Sequence, residues 1–390
     1  MTDFRFTRRD LLLGGSALAA ATLTGTPRPA DARPSGPQAK QGPTVGDRAP
    51  ELAGTPGDWL NTGGKALRLY GKGGLLDENH LCLLDFWEYT CVNCVRTLPY
   101  LKEWHARYAR HGLTIVGIHT PEFAFAKLRD NVVASAKEFG LEYPILLDAD
   151  YRNWNNFKNL YWPRKYLIDT NGRIVYDHAG EGDYGRTETM IQRALKRKNP
   201  KLVLPQIMEP VRGSDKPGAV CYPQTREIYC GYWRSDGFFG SPPGLRKDVP
   251  AVYSDVPAAE RKDGVFYAKG EWRVLNESVR HARATANPWD DYLALSYRAL
   301  ETNAVIRPEG GNPFDLFVLH DGKPVTKDAA GADIRYAADG QSFLRVDAPR
   351  MYQILKNRRW GKHELRLGTT SEDFGLYSFT FASCAVGGDS

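Results

Sequence analysis

The 390-residue chain is poor in sulfur: six cysteines and four methionines. Only one Cys-x-x-Cys occurs, and no second cysteine pair or close histidine pair stands by to complete a zinc site. A structural zinc module is therefore excluded. Basic residues are in modest surplus, with a formal charge of +6, and form no long run. The densest cluster, Lys196-Arg197-Lys198, ends a predicted helix and complements its dipole. Nothing here argues for nucleic-acid binding. The apolar stretch Leu11 to Leu23 is short for a membrane span and diluted with Gly and Ala. The second half of the chain shows no metal cluster, phosphate loop or Ser-His-Asp constellation. What remains is ordinary globular composition, 42% hydrophobic and 25% charged, long enough for two domains with separate cores.

The one Cys-x-x-Cys is Cys91-Val92-Asn93-Cys94. The apolar run Leu81-Cys82-Leu83-Leu84 leads into it and reads as a buried strand. After it, Leu98, Leu101, Trp104 and Tyr108 recur on one face of a predicted helix. The cysteines thus sit where a strand hands over to a helix. There, first-turn N–H groups and the positive end of the dipole favour a thiolate. Two intervening residues let the sulfurs join in a small ring, which is the layout of a dithiol/disulfide exchange site.

The flanks of this motif resemble a known family. Asp85 lies six residues before Cys91 and Pro99 eight after it, as in thioredoxin. The string from Phe86 to Tyr100, with Trp-x-Tyr-Thr-Cys-Val-Asn-Cys and Arg-Thr-Leu-Pro-Tyr, is similar to the TlpA-like, DipZ-type branch of the thioredoxin superfamily. Val45-Gly46-Asp47-Arg48-Ala49-Pro50 and Trp59-Leu60-Asn61 match the same branch. The resemblance implies that Asp85 is buried and serves Cys94, and that Pro163, in Tyr161-Trp162-Pro163-Arg164, is cis and faces the cysteines. It implies Trp162 beside the substrate and marks Trp87 and Glu122 as further substrate-binding candidates. Glu88 reads as an exposed loop charge and Cys82 as a core residue.

Residues 1–32 read as an address, to be kept apart from the fold. Arg8-Arg9 before the apolar segment resembles a twin-arginine (Tat) export signal, with Ala30-Asp31-Ala32 as a cleavage site. Residues 33–44 form a Pro- and Gly-rich spacer. Residues 45–199 carry the order strand 80–87, helix 91–111, strand 113–119, helix 125–139, strand 143–147, a hairpin turning at Asp169-Thr170-Asn171-Gly172, and helix 184–197. This predicts an α/β thioredoxin-like domain with helices on both faces of a central sheet.

Residues 200–262 are an irregular, Pro- and Tyr-rich connector. Within it, Cys221 and Cys230 either close a small loop as a disulfide or stay as buried thiols. Residues 263–390 alternate short β-type runs with turns, predicting an all-β sandwich. Gly270-Glu271-Trp272 and Tyr377-Ser378-Phe379-Thr380-Phe381 resemble the jelly-roll-like, carbohydrate-binding-module-like domain that accompanies DipZ-type domains. Trp233, Trp272, Trp289 and Trp360 are candidates for a sugar-stacking platform or for core packing. Cys384 has no partner that sequence names.

The leading expectation is an exported, periplasmic thiol-disulfide oxidoreductase. Cys91 attacks, Cys94 resolves, and Asp85 relays a proton; no cofactor and no metal is expected. Its partners are exported protein thiols, with a membrane electron carrier of the CcdA type as candidate donor. The alternatives are a thiol peroxidase, or a glycan- or partner-binding envelope protein whose redox half is secondary. Val92-Asn93 between the cysteines leaves the direction of electron flow open.

Overall fold

In the first domain every central strand divides its side chains between two covers. Strand β2 (Leu81–Trp87) is wholly buried. Leu81, Leu83 and Trp87 join one core cluster, while Cys82, Leu84 and Phe86 join another, as the two-residue period of a strand requires. The computed structural model describes residues 42–76, 80–235 and 237–386; the expected export signal and most of the spacer lie outside them.

The six-stranded sheet runs β1-β4-β3-β2-β5-β6. Its strands are β1 (Trp59–Leu60), β2, β3 (Leu113–His119), β4 (Ile145–Leu147), β5 (Arg164–Ile168) and β6 (Ile174–Ala179). Strands β2, β3 and β4 are parallel, and β5 and β6 return antiparallel. The helices are α1 (Val92–Tyr108), α2 (Arg129–Glu138), α3 (Arg152–Asn156) and α4 (Tyr184–Lys198). This is a thioredoxin-like fold.

The helices divide unevenly between the two faces, with the short α3 sending Trp154 to one and the longer helices packing on the other. Side chains of α1, α2 and α4 all enter the core that holds Leu81 and Leu83. The step from β2 to β3 and on to β4 moves one way across the sheet, which puts both crossover helices on the same face. The opposite face is covered by an irregular segment through Ala49, Leu52, Leu69 and Leu76, together with Phe157 and Trp154 beside the short α3. Leu98, Leu101, Trp104 and Tyr108 anchor α1, each contributing about 1.5–3 kcal/mol by burial. The chain leaves α1 through a short 3-10 turn ending at Gly112, whose φ of 96° is the left-handed conformation glycine tolerates.

The connector adds three short strands, β7 (Ala219–Cys221), β8 (Ile228–Tyr229) and β9 (Pro250–Tyr253). The second domain then builds an antiparallel β sandwich. Its strands are β10 (Val265–Val274), β11 (Val279–His281), β12 (Tyr292–Arg298), β13 (Glu301–Pro308), β14 (Phe314–His320), β15 (Lys323–Pro324), β16 (Ile334–Tyr336), β17 (Ser342–Val346), β18 (Arg350–Lys356), β19 (Lys362–Gly368) and β20 (Phe374–Ala382). The long β10 serves both layers: Val265–Lys269 pairs with β12, Gly270–Arg273 pairs with β9, and Trp272–Val274 pairs with β11. The changeover falls at Gly270, with φ of 92°. A Cβ there would meet the Asp291 carboxylate at 1.9 Å, so only glycine fits. Between the layers lies a second core containing Trp272, Leu295, Ile306 and Leu367.

The last strand, β21 (Cys384–Val386), pairs with β7 in a separate two-stranded ribbon. There Cys221 and Cys384 are directly opposite and form a disulfide. This corrects the expected Cys221–Cys230 loop. The strand β8 docks on β20, and Cys230 N–H donates to Tyr377 O, which carries the Cys230 thiol into the sandwich core while Cys221 stays in the ribbon. Nine positions of sequence separate the two cysteines, but Cys221 lies in the ribbon and Cys230 directly follows β8 of the large sheet.

The two domains share a seam. Phe123 and Phe125, just after β3, stack on each other and meet the ring of Tyr377 edge-on, at 5.2 and 4.8 Å. Arg96 of α1 bridges Glu301 of β13 at 3.0 Å. Peptide mapping without reductant should recover a Cys221–Cys384 cross-link, with Cys230 alkylated only after denaturation; a Cys221–Cys230 peptide would refute this pairing.

Candidate active site

Cys91 is the residue that caps α1: its Sγ accepts the Cys94 N–H at 3.3 Å. The two sulfurs are 2.7 Å apart. Cys91 is half-buried and Cys94 fully buried one turn in, so an incoming group meets Cys91 first. Burial pushes both thiols up from their ordinary range. For Cys91 the hydrogen bonds from Cys94 oppose that shift, and the carboxylates of Glu122 and Glu88 add to it.

Beneath the pair lies Asp85 of β2, 1% exposed, and across from it Lys165 of β5, 0% exposed. Lys165 Nζ stands 3.7 Å from Asp85 Oδ1, and neither group has a hydrogen-bond partner within the described residues. Desolvation pushes the Asp85 carboxyl up to about 6, with Lys165 holding it back. The same burial lowers Lys165 against the pull of Asp85. The negative charge of Asp85 also raises Cys94, so the carboxylate and the inner thiol compete for one proton. Lys165 was not singled out in the sequence. Its position opposite Asp85 in the β2–β5 register is set by a pairing that the sequence alone does not name.

The remaining candidates divide. The Trp162–Pro163 bond is cis. Trp162 lines the space in front of Cys91, held by a hydrogen bond from Nε1 to Thr120 O and by contact with Trp154. Trp87 is corrected: it is fully buried, packs edge-on against His119 and does not line the cleft. Glu88 is corrected too, since it is buried rather than exposed and accepts from the N–H and hydroxyl of Thr90. It thereby fixes the turn that delivers Cys91. Cys82 is buried in the core. Glu122 does reach the site. Its carboxylate accepts from Tyr229 Oη at 2.6 Å and Arg234 Nη1 at 2.8 Å, so the connector ties it in place.

Tyr229 and Arg234 show what sequence could not: the second half of the chain folds over Cys91. A cleft of about 480 Å³ is walled by Cys91 and Trp162 on one side and by Tyr229, Thr380 and Ala382 on the other. Exposed Leu160 and Tyr161 form its apolar lip. The four tryptophans of the proposed sugar platform disperse instead. Trp272 is in the core, Trp233 is exposed, Trp360 donates to Pro223 O, and Trp289 covers Gly368.

Residues 45–177 match the AhpC/TSA family, and residues 225–382 match a family described as thioredoxin like C-terminal domain. Protein DipZ of Mycobacterium tuberculosis is 32% identical over 334 residues, 85% of this chain and 42% of that protein. Over most of its length the chain is similar to the DipZ proteins. It spans less than half the length of the DipZ proteins it matches. The thiol-disulfide oxidoreductase YkuV of Bacillus subtilis is 27% identical over 37% of this chain and 93% of its own. A thiol:disulfide interchange protein from Bacteroides sp. superposes with a TM-score of 0.32 at 20% identity, over 41% of this chain and 97% of that one.

A histidine cluster forms where distant strands meet in the second domain. His320, Asp321 and His363 bring ligand-type atoms within 4.8 Å of one another, because β14 and β19 are neighbours. Asp321 is already engaged there, accepting from His363 Nδ1 and from Glu364 N–H.

Glu122→Gln removes a negative charge that holds Cys91 protonated. Iodoacetamide should alkylate Cys91 of the variant about 3- to 10-fold faster at pH 7, with the midpoint of its pH profile moved down. An unchanged or slower rate would show that Glu122 does not set the reactivity of Cys91.

Proposed function

We propose that this chain is an exported thiol-disulfide oxidoreductase that works through Cys91 and Cys94 on protein thiols. The observation that carries the reading is the stacked arrangement of the site: a half-buried sulfur at a helix start, a second sulfur 2.7 Å behind it, and below them a buried carboxyl that faces Lys165 without a hydrogen bond. The Cys91 thiolate attacks one sulfur of a client disulfide and expels the other as a thiolate. Cys94, losing its proton to Asp85, then attacks Cys91 and releases the client's second sulfur. Two electrons pass to the client, and Cys91–Cys94 is left as the disulfide. Run backwards, the same steps oxidise a client dithiol.

Client backbone can lie along cis-Pro163, with Trp162, Tyr161 and Leu160 offering apolar contact. A cross-strand disulfide at Cys221–Cys384 fits an oxidising compartment and supports export alongside the twin-arginine segment. For turnover as a reductant, a membrane electron carrier of the CcdA type is the donor class that such a location calls for.

In an insulin-reduction assay, Cys91→Ser should lose at least about a thousandfold of the rate, and Cys94→Ser should accumulate a mixed disulfide on Cys91. Retained turnover in Cys91→Ser would refute the assignment. Rapid hydrogen peroxide consumption without disulfide exchange would redirect it to a peroxidase.

Asp85 accepts a proton only when ionised, so release of the mixed disulfide should slow as pH falls through about 6. Asp85→Asn should lower the plateau by roughly 10²-fold and erase that inflection. A preserved inflection would assign it to another group.

A further inference from the structure

The wall of the cleft opposite Cys91 contains another sulfur. Cys384 lines it beside Ala382 and Ser383. Cys384 also borders a neighbouring hollow next to Tyr100 and Tyr184, and it shares that hollow with its partner Cys221. We propose that Cys221–Cys384 is a second redox couple, which exchanges electrons with Cys91–Cys94 inside the same chain. This rests on the disulfide-exchange reading of Cys91.

The placement of the second disulfide differs from that of a core staple. The β7–β21 ribbon that holds it belongs to neither large sheet. Each strand has three residues, and the cystine sits at the end of the register, opposite Ala219–Val386. Opening it therefore breaks no pairing of the sandwich. Cys221 is exposed and Cys384 half-exposed, while Cys82 and Cys230 are sealed in cores. Solvent-accessible disulfides are the labile ones.

A physical connection also joins the two centres. The ribbon packs on the 3-10 turn Gly213–Asp215, and Asp215 accepts from Tyr100 Oη of α1 at 2.7 Å. Arg96 of α1 and Arg212 of the connector both reach Glu181, at 3.3 and 3.4 Å. The two residues of the wall directly before Cys384, Ala382 and Ser383, are small, and the first bulky side chain on that wall is Phe381, three positions away. The exposed cysteine is the better leaving group, because water hydrates its thiolate.

The exchange balances within the chain. The Cys91 thiolate attacks Cys384 Sγ, a Cys91–Cys384 bond forms, the Cys221–Cys384 bond breaks, and Cys221 leaves as a thiolate. Cys94, losing its proton to Asp85, attacks Cys91 Sγ and expels Cys384. One dithiol is oxidised and one disulfide reduced by two electrons. The ribbon is the element that must lift to bring the sulfurs together. In this way the chain can store an electron pair beside its client site.

The test uses the full chain carrying Cys94→Ser, which removes the resolving thiol. The protein is held at micromolar concentration without external disulfide, quenched with iodoacetamide, and mapped under non-reducing conditions. The expected product is a Cys91–Cys384 cross-linked peptide with Cys221 newly alkylated, formed at a rate independent of protein concentration. In the wild-type chain, titration against glutathione should open both pairs within a tenfold span of the glutathione ratio.

An intact Cys221–Cys384 bond with Cys91 still alkylatable would overturn the proposal, as would a cross-link found only in dimers. So would a Cys221–Cys384 pair that stays closed throughout the range where Cys91–Cys94 cycles. Reaction of Cys91 with dithiobis(nitrobenzoate) separates the two levels. If Cys91 attacks that reagent but not Cys384, the internal exchange alone falls. If it attacks neither, the disulfide-exchange reading falls with it.

Discussion

A carboxyl and an amine face each other at 3.7 Å between the central strands of the first domain, both out of water. Neither has a hydrogen bond to soften its burial. Removing each charge from water costs several kcal/mol, and the attraction between them returns only part of that. The pair is therefore a poor stabilising device. Because the folded Asp85 titrates near 6, above the usual carboxylate range, whatever stability it adds is present at acid pH below its unfolded value and is lost as pH rises through about 6. At neutral pH the fold carries this cost, and the surrounding core must outweigh it. Leu83, Trp87, Leu98, Leu101 and Tyr143, all buried in the same cluster, supply that excess. What burial returns is a carboxylate near Cys94 with a higher proton affinity than a well-solvated one.

A second constraint comes from above. In a bare thioredoxin-like domain the outer cysteine would face solvent; here the connector and β20 close over it. Glu122 records the change most directly. Alone on its loop it would be a hydrated carboxylate, but Tyr229 and Arg234 bind it from the other half of the chain. Its charge now acts on Cys91 through a water-poor cleft, where electrostatic effects reach further than in bulk solvent. The helix start favours a Cys91 thiolate and the cleft disfavours it, with burial the largest influence. Reactivity is thus set jointly by the two domains, which gives the sandwich a role at the site that does not require it to bind sugar.

The sequence was legible where the signals were local. The strand–cysteine–helix handover, the hairpin at Asp169–Gly172 and the short strands from Trp272 onward all follow from periodicity and turn chemistry that act over a few residues. What stayed hidden depends on which distant segments become neighbours. Lys165 meets Asp85 only through the β2–β5 register, Cys221 meets Cys384 only through a ribbon closing 163 positions, and Trp87 turns inward because its strand parity matches Leu81 and Leu83. Glu88 misled for a different reason. A charged residue next to a catalytic-type cysteine reads as exposed, whereas here one carboxylate oxygen is bound by Thr90 and the other faces His119 at 3.8 Å.

The cysteines themselves show how environment, rather than residue type, assigns chemistry. Cys82 and Cys230 are sealed in separate cores, where burial raises their thiols and leaves them inert. Cys94 is buried as well, but it differs in having a carboxyl below and a sulfur beside it, so the same desolvation that silences Cys82 makes Cys94 dependent on a proton acceptor. Cys91 is reachable from the cleft yet less acidic than a free thiol, because the same cleft partly buries it. Cys221 and Cys384 alone combine exposure with a short ribbon outside the sheets. Cys91 and Cys384 thus border one cleft, and Cys221 borders the hollow beside it, all where the two domains meet.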